Sequence, residues 1–169
     1  MRFDKFTTKF QQAFADAQSL AVGNDNPYIE PQHLLSALIQ QEDGSASSLL
    51  SRAGVNLAGL KTALTAAIAR LPKVEGQGGE VNVSRELSNL LNVTDKEAQK
   101  HGDQFVASEM FLLALTEDKG ETGRLLKQNG GSRSALVAES LQKMGYENVR
   151  SLAGGLRAWK EAGLPSASN

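Results

Sequence analysis

Two stretches of the chain decide the fold: FQQAFADAQSLAVGNDNPYIEPQHLLSAL at 10–38 and LSNLLNVTDKEAQKHGDQFVASEMFLLAL at 87–115. They align without a gap at an offset of 77 residues, and apolar residues recur at the same places in both. Phe10 matches Leu87, for example, and Leu34 matches Phe111. A recurring apolar pattern of this length is the signature of a duplicated structural unit. The chain therefore contains two copies of one unit with helical apolar spacing.

Residues that begin and end helices follow the same repeat. Thr7 and Ser84 are equivalent, and both are good N-caps ahead of an apolar pattern with helical spacing. Gly54 and Gly131 are equivalent and stand where a helix should stop. The two copies are thus predicted to share helix ends as well as apolar faces.

Each copy is predicted to hold four helices. In the first copy they cover about 7–22, a segment opening at Pro31, a segment ending near Arg52, and about 56–70. Either copy alone would expose an apolar face, so we expect an all-α fold in which the two four-helix copies pack as one domain. The predicted boundaries are 1–73 for the first copy, 74–83 for a linker, 84–145 for the second copy and 146–169 for a tail.

Composition excludes several classes of function. The 18 Lys and Arg residues nearly balance the 19 Asp and Glu residues, which disfavours a nucleic-acid partner or an anionic membrane surface. The chain has no Cys, so thiol chemistry and thiolate metal sites are excluded. It has no phosphate-binding glycine motif, and its two histidines, His33 and His101, lack a metal-ligand spacing and are interpreted as helix-surface and loop residues. We expect no catalysis, no cofactor and no metal, and, without an apolar run of about 18 residues, a cytoplasmic protein.

Most of the chain resembles a known family. The likeness covers about 1–130 and is carried by MRFDKFTTKF at 1–10, YIEPQHLL at 28–35 and HGDQFVASE at 101–109, together with the duplication. These resemble the double Clp repeat at the N-terminus of ClpB-type disaggregases. The resemblance implies a mobile eight-helix module, monomeric in isolation, that engages unfolded or aggregated polypeptide and passes it to the ATPase rings of the parent chaperone without any chemistry of its own.

Positions that differ between the copies suggest a client-binding groove. Val93 replaces Asp16 and Met110 replaces His33, which puts apolar side chains where the other copy is polar and expected to be exposed. Met suits contact with many different unfolded sequences. The alternative is that these residues pack between the copies, and the sequence leaves both open.

Acidic and polar residues complete the predicted peptide-binding set. Asp103 replaces Asn26 and Glu109 replaces Gln32, and these carboxylates would either select basic client stretches or cap helices. Thr7 joins the set because the resemblance places it in the same region between the repeats, and Glu97 would weaken the apolar character of the groove. The candidate site is therefore Thr7, Val93, Asp103, Glu109 and Met110.

The C-terminal part, about 131–169, resembles a different family. GSRSALVAE at 131–139 and GYENVRSLAGGLRAWK at 145–160 look like the end of a rhodanese domain. Gln128 stands where the rhodanese active loop has its cysteine, and the rest of that fold is absent, so sulfur transfer is excluded.

A rhodanese-like helix at about 132–144 would close the second copy, since Val137, Leu141 and Met144 match Leu60, Leu64 and Ala67. The tail at 146–169 would either cover the groove or leave it open. The alternative function is a chimera with a structural or fold-design purpose and no retained activity; both an engineered chimera and a natural fusion remain open.

Overall fold

The computed structural model describes residues 3–42, 44–75 and 80–140, and the body of the chain is helical, which confirms the all-α prediction. After a 3-10 turn at Phe3–Lys5, the helices are α1 Thr8–Gly23, α2 Pro31–Gln40, α3 Ser45–Arg52, α4 Leu57–Ala69, α5 Arg85–Lys100, α6 Ser108–Glu117 and α7 Glu121–Gln128. Residues 133–140 are also helical and form the described part of α8. The two short strands are β1 Tyr28–Ile29 and β2 Asn82–Val83.

The helices repeat in the predicted register up to α6 and then shift by one residue. Helices α5 and α6 lie 77 residues after α1 and α2 at both ends, but α7 lies 76 residues after α3. The cause is loop length, because four residues join α2 to α3 and three join α6 to α7.

Two expected correspondences are therefore wrong by one residue. Gly130, with φ of 96°, is the left-handed counterpart of Gly54 with φ of 90°, in place of Gly131. Leu136 is fully buried and takes the place of Leu60 in the core, whereas Val137 is half-buried.

Local capping explains where the longest helices begin. The Thr7 hydroxyl accepts from the backbone N–H of Phe10 at 3.3 Å, and the Ser84 hydroxyl accepts from that of Leu87 at 3.1 Å. Each bond satisfies one of the backbone donors that the first turn of a helix leaves without a partner. The predicted N-caps are confirmed.

Reciprocal backbone contacts join the two copies. Strand β1 pairs in parallel with β2, with Ile29 opposite Val83, and an isolated parallel bridge joins Phe6 to Val106. At the 77-residue offset these two pairings are equivalent, since Phe6 corresponds to Val83 and Ile29 to Val106. In each copy, the segment before the first helix thus pairs with the loop between the first two helices of the other copy. The two copies are therefore related by an approximate twofold arrangement.

One apolar core runs through both copies. Helix α1 packs on α2 and α5 on α6 within the copies, while α3 contacts α6 and α4 contacts α7 across them. Leu34 of α2 and Phe111 of α6 are fully buried in the same cluster, and the rings of Phe10 and Phe111 lie 5.9 Å apart across the copies. Burial of both apolar faces against each other is the main source of helix stability here.

Candidate functional site

Thr7 holds the junction between the copies. Besides capping α1, it donates its backbone N–H to the carbonyl of Val106 at 3.0 Å. The Val106 N–H donates in turn to the carbonyl of Lys5 at 2.7 Å. Thr7 therefore fixes the start of α1 against the loop between α5 and α6.

That loop carries the exposed part of the predicted site. Gly102 adopts a left-handed φ of 73°, after which the backbone N–H of Asp103 donates to the carbonyl of Ala98 at 2.9 Å. Asp103 is exposed, and Phe105 two residues later is 58% exposed. The loop thus exposes an acidic and an aromatic residue two positions apart in the sequence.

Glu109 lies in the first turn of α6, where the helix dipole stabilises its negative charge. Its carboxylate accepts a hydrogen bond from the Ser45 hydroxyl at the start of α3. The side chain is half-buried, so Glu109 ties the two copies together while keeping part of its surface in solvent.

Val93 lines a groove at the other end of the α5–α6 pair. The groove has a volume of about 360 Å³ and is lined by Glu86, Asn89, Leu90, Val93, Ala114, Glu117, Asp118 and Lys119. The structure thus places Thr7 against the loop that contains Asp103 and precedes Glu109. Val93 belongs to a separate surface toward the start of α5.

Met110 is only 1% exposed and lies in the core. Its counterpart His33 is fully buried as well, so the expectation that this position is exposed is wrong in both copies. The reason is that α2 and α6 are enclosed by helices of both copies, which leaves nearly every residue of either helix buried. Of the two alternatives for Met110, the structure favours packing between the copies.

Glu97 has a structural role that the sequence did not reveal. It is 2% exposed, and its Oε1 accepts from Nη2 of Arg133 at 3.1 Å. Arg133 also donates to the carbonyl of Leu113 at 3.2 Å, and its Nε lies 3.5 Å from Glu117. Nε2 of His101 lies 3.6 Å from the second Glu97 oxygen. Glu97 is therefore buried in an ion pair with Arg133, while its second oxygen has no hydrogen-bond partner among the described residues, and Glu97 does not line the groove.

The sequence did not predict the positions of three residues, which are Arg133, Phe105 and Glu86. Arg133 looked like part of a separate segment, and only the fold brings it to α5 and α6. Phe105 matches Tyr28 in the repeat as an apolar pair, yet they are 58% and 49% exposed, respectively. Glu86 is an acidic residue in the first turn of α5, where a negative charge is common. Its position four residues before Leu90 and seven before Val93 is the one available signal, since that spacing places all three on one helix face.

The described residues contain neither a cluster of metal-ligand side chains nor a membrane-spanning helix. No group of three or more His, Asp or Glu side chains in the described ranges could hold a metal ion. Among the same residues, no helix is both long and apolar enough to cross a membrane.

Comparison with known proteins identifies relatives of most of the chain. The family model described as "Clp repeat (R) N-terminal domain" matches residues 5–129. The chaperone protein ClpB of Pseudomonas putida is 47% identical over 136 residues, which cover 80% of this chain and 16% of that protein. The ClpB of Vibrio cholerae is 46% identical over 144 residues, which cover 85% of this chain and 17% of that protein. The chain thus spans about a sixth of the length of these relatives.

Solved structures agree with the fold. The Hsp104 N-terminal domain from Candida albicans matches with a TM-score of 0.72 at 23% identity, covering 83% of this chain and 92% of that one. The N-domain of ClpV from Vibrio cholerae matches with a TM-score of 0.70 at 20% identity, covering 82% and 84% of the two chains. At these identities the likeness concerns the fold alone.

The rhodanese resemblance at 131–169 stays a prediction, because it begins after the match to the family model ends. Residues 141–169 also lie outside the described part, including Leu141, Met144 and the tail at 146–169 that was expected either to cover the groove or to leave it open. The described segment 133–140 forms the start of α8, whose Leu136 is fully buried in the common core.

Proposed function

Because this chain belongs to the family of Clp repeat N-terminal domains, we propose that it is a non-catalytic domain that binds unfolded or aggregated polypeptide. The match to the family over 5–129, together with the shared core of the two copies, is the observation that carries the proposal. In a longer chaperone, the bound polypeptide would pass to ATPase rings.

The loop between α5 and α6 is the proposed contact surface. Phe105 offers an exposed ring to apolar client side chains, and Asp103, two residues earlier in the same loop, offers a carboxylate to basic ones. Glu109 adds a partly exposed charge, and Thr7 holds the loop through Val106. In this proposal Met110 supports the loop from the core, and Val93 offers a second, separate contact in the groove toward the start of α5.

Binding should be weak. A single exposed ring with a few charges buries little area, and an unfolded client must be ordered as it binds. We expect a dissociation constant in the micromolar to millimolar range. Such weak binding suits a domain that must release its client.

Fluorescence anisotropy of a labelled, reduced and carboxymethylated protein tests the proposal. Phe105→Ser should weaken binding about fivefold, because an exposed aromatic anchor is lost. Tyr28→Ser is the matched control, since Tyr28 is the equivalent exposed aromatic of the first copy and should matter less than about twofold. If the unaltered chain binds no unfolded protein at millimolar concentration, the proposed function is wrong.

A further inference from the structure

The groove lined by Val93 combines an apolar wall with an acidic edge. Leu90 is 4% exposed and Ala114 is 1% exposed, and Val93 packs beside them on the edge of the core. Glu86 and Asp118 stand at the edge of the same groove. An apolar side chain lying in the groove would therefore have carboxylates beside it.

Negative charge outweighs positive charge in this groove, because Glu86, Glu117 and Asp118 line it together with one cationic lining residue, Lys119. Oδ2 of Asp118 is buried without a hydrogen-bond partner among the described residues. Glu86 makes no ion pair or hydrogen bond within the same part of the chain. Gly120 leaves room for the Glu86 carboxylate, because a Cβ at residue 120 would overlap its Oε1. Glu117 differs from these two residues in having an ion-pair partner, since Nε of Arg133 lies 3.5 Å from its carboxylate.

The electrostatics of Glu86 agree with an excess of negative charge. Partial burial raises the pKa of its carboxyl above the usual value, and the charges of Asp118 and Glu30 raise it further. Glu121 acts in the same direction, and Arg124 opposes them without cancelling the rise. A cation placed at the edge of the groove would relieve this repulsion.

We propose that this groove binds a polypeptide segment in which a Lys or Arg stands next to an aliphatic side chain. The aliphatic group packs on Leu90 and Val93, and the cationic group lies between Glu86 and Asp118. The inference rests on the proposed function and names the class of client segment that the domain prefers. An anionic partner is disfavoured, because it would meet the same carboxylates.

Two matched peptides test this preference. One is a short extended peptide of Lys-Leu pairs, and the other has Gln in place of each Lys. We expect the Lys peptide to bind the unaltered chain about threefold more tightly, since the charge pairs are partly exposed to water. The pKa of Glu86, followed by carboxyl NMR, should fall as the Lys peptide binds, which a purely structural role of Glu86 would not produce.

Three variants assign the effect to the groove. Glu86→Gln removes one of the two carboxylates from the groove and should reduce the difference between the two peptides. Val93→Asp puts into the groove the residue that the first copy has at the equivalent position, Asp16, and should weaken binding of both peptides. Asp16→Asn is the control, because it removes an exposed charge from α1 and should leave the difference unchanged.

The results separate this inference from the proposed function. Equal affinity for the two peptides, or a difference that is undiminished in Glu86→Gln, overturns the inference, and the proposed function stands if the unfolded protein still binds. If neither peptide nor unfolded protein binds, both fail.

Discussion

The imidazole of His33 is enclosed at the start of α2 with partners on both nitrogens. Nδ1 accepts from the backbone N–H of Glu30 at 2.9 Å, so Nε2 carries the ring proton and donates to Oδ1 of Asn26 at 2.9 Å. Asn26 donates in turn to the carbonyl of Pro72 at 3.0 Å. This chain of bonds ties α2 to the segment after α4 and requires a neutral ring.

The stability of the domain should depend on pH through His33. Burial lowers the pKa of His33 from 6.5 to about 4. Between these pH values, the imidazole is protonated in the unfolded chain and neutral in the folded chain. The free energy of unfolding should therefore fall by roughly 3 kcal/mol as the pH drops from 6.5 to 4. Urea unfolding at several pH values measures this, with His33→Gln as the comparison. An identical pH dependence in that variant would contradict the assignment.

Loss of Arg133 should destabilise the domain more than loss of an exposed arginine that forms an ion pair with α8. Arg133→Ala leaves the buried charge of Glu97 without its closest cation, at a cost of about 3 kcal/mol. Arg52→Ala is the control, because Arg52 pairs with Glu139 of α8 at 3.1 Å on the surface and should cost less than about 1 kcal/mol. Urea unfolding compares the two variants. Equal losses of stability would mean that the buried Glu97–Arg133 pair contributes no more than the surface pair.

At the scale of the helices, the first residues of α1 and α5 could be predicted, because a helix start depends on residues that are close in the sequence. Thr7 and Ser84 cap helices that begin one residue later, as the sequence indicated. The shift after α6 was not predictable from apolar spacing, because Leu136 and Val137 are both apolar and either could have faced the core. The burial of Met110 was likewise hidden, since it depends on helices of the other copy that enclose α6.

The cap of α5 provides a test at this scale. Ser84→Ala removes the acceptor for the backbone N–H of Leu87 and should destabilise the domain by about 1 kcal/mol. Ser88→Ala is the matched control, because Ser88 is exposed one turn later and should change stability by less than about 0.5 kcal/mol. Thermal unfolding of both variants measures the difference. A Ser84→Ala domain as stable as the unaltered one would show that the cap contributes nothing.

Across the whole molecule, the two copies share a framework and differ in surface. The Thr7 N–H bonds to Val106 at 3.0 Å, and the equivalent Ser84 N–H bonds to Ile29 at 3.1 Å. The surfaces have diverged, since α5 carries Val93 beside its groove where α1 carries an exposed Asp16. The duplication was therefore visible in the sequence, and comparison of the copies pointed to Val93. The separation of Val93 from Asp103 appeared only in the folded chain.

An amide NMR titration of the full chain with an unfolded client tests the central claim most directly. Client binding at the second copy predicts shift changes at Asp103, Phe105 and Glu109 and in the groove at Val93. The equivalent Tyr28 of the first copy should stay unchanged. Shifts confined to the first copy, or none at saturating client, would contradict the account.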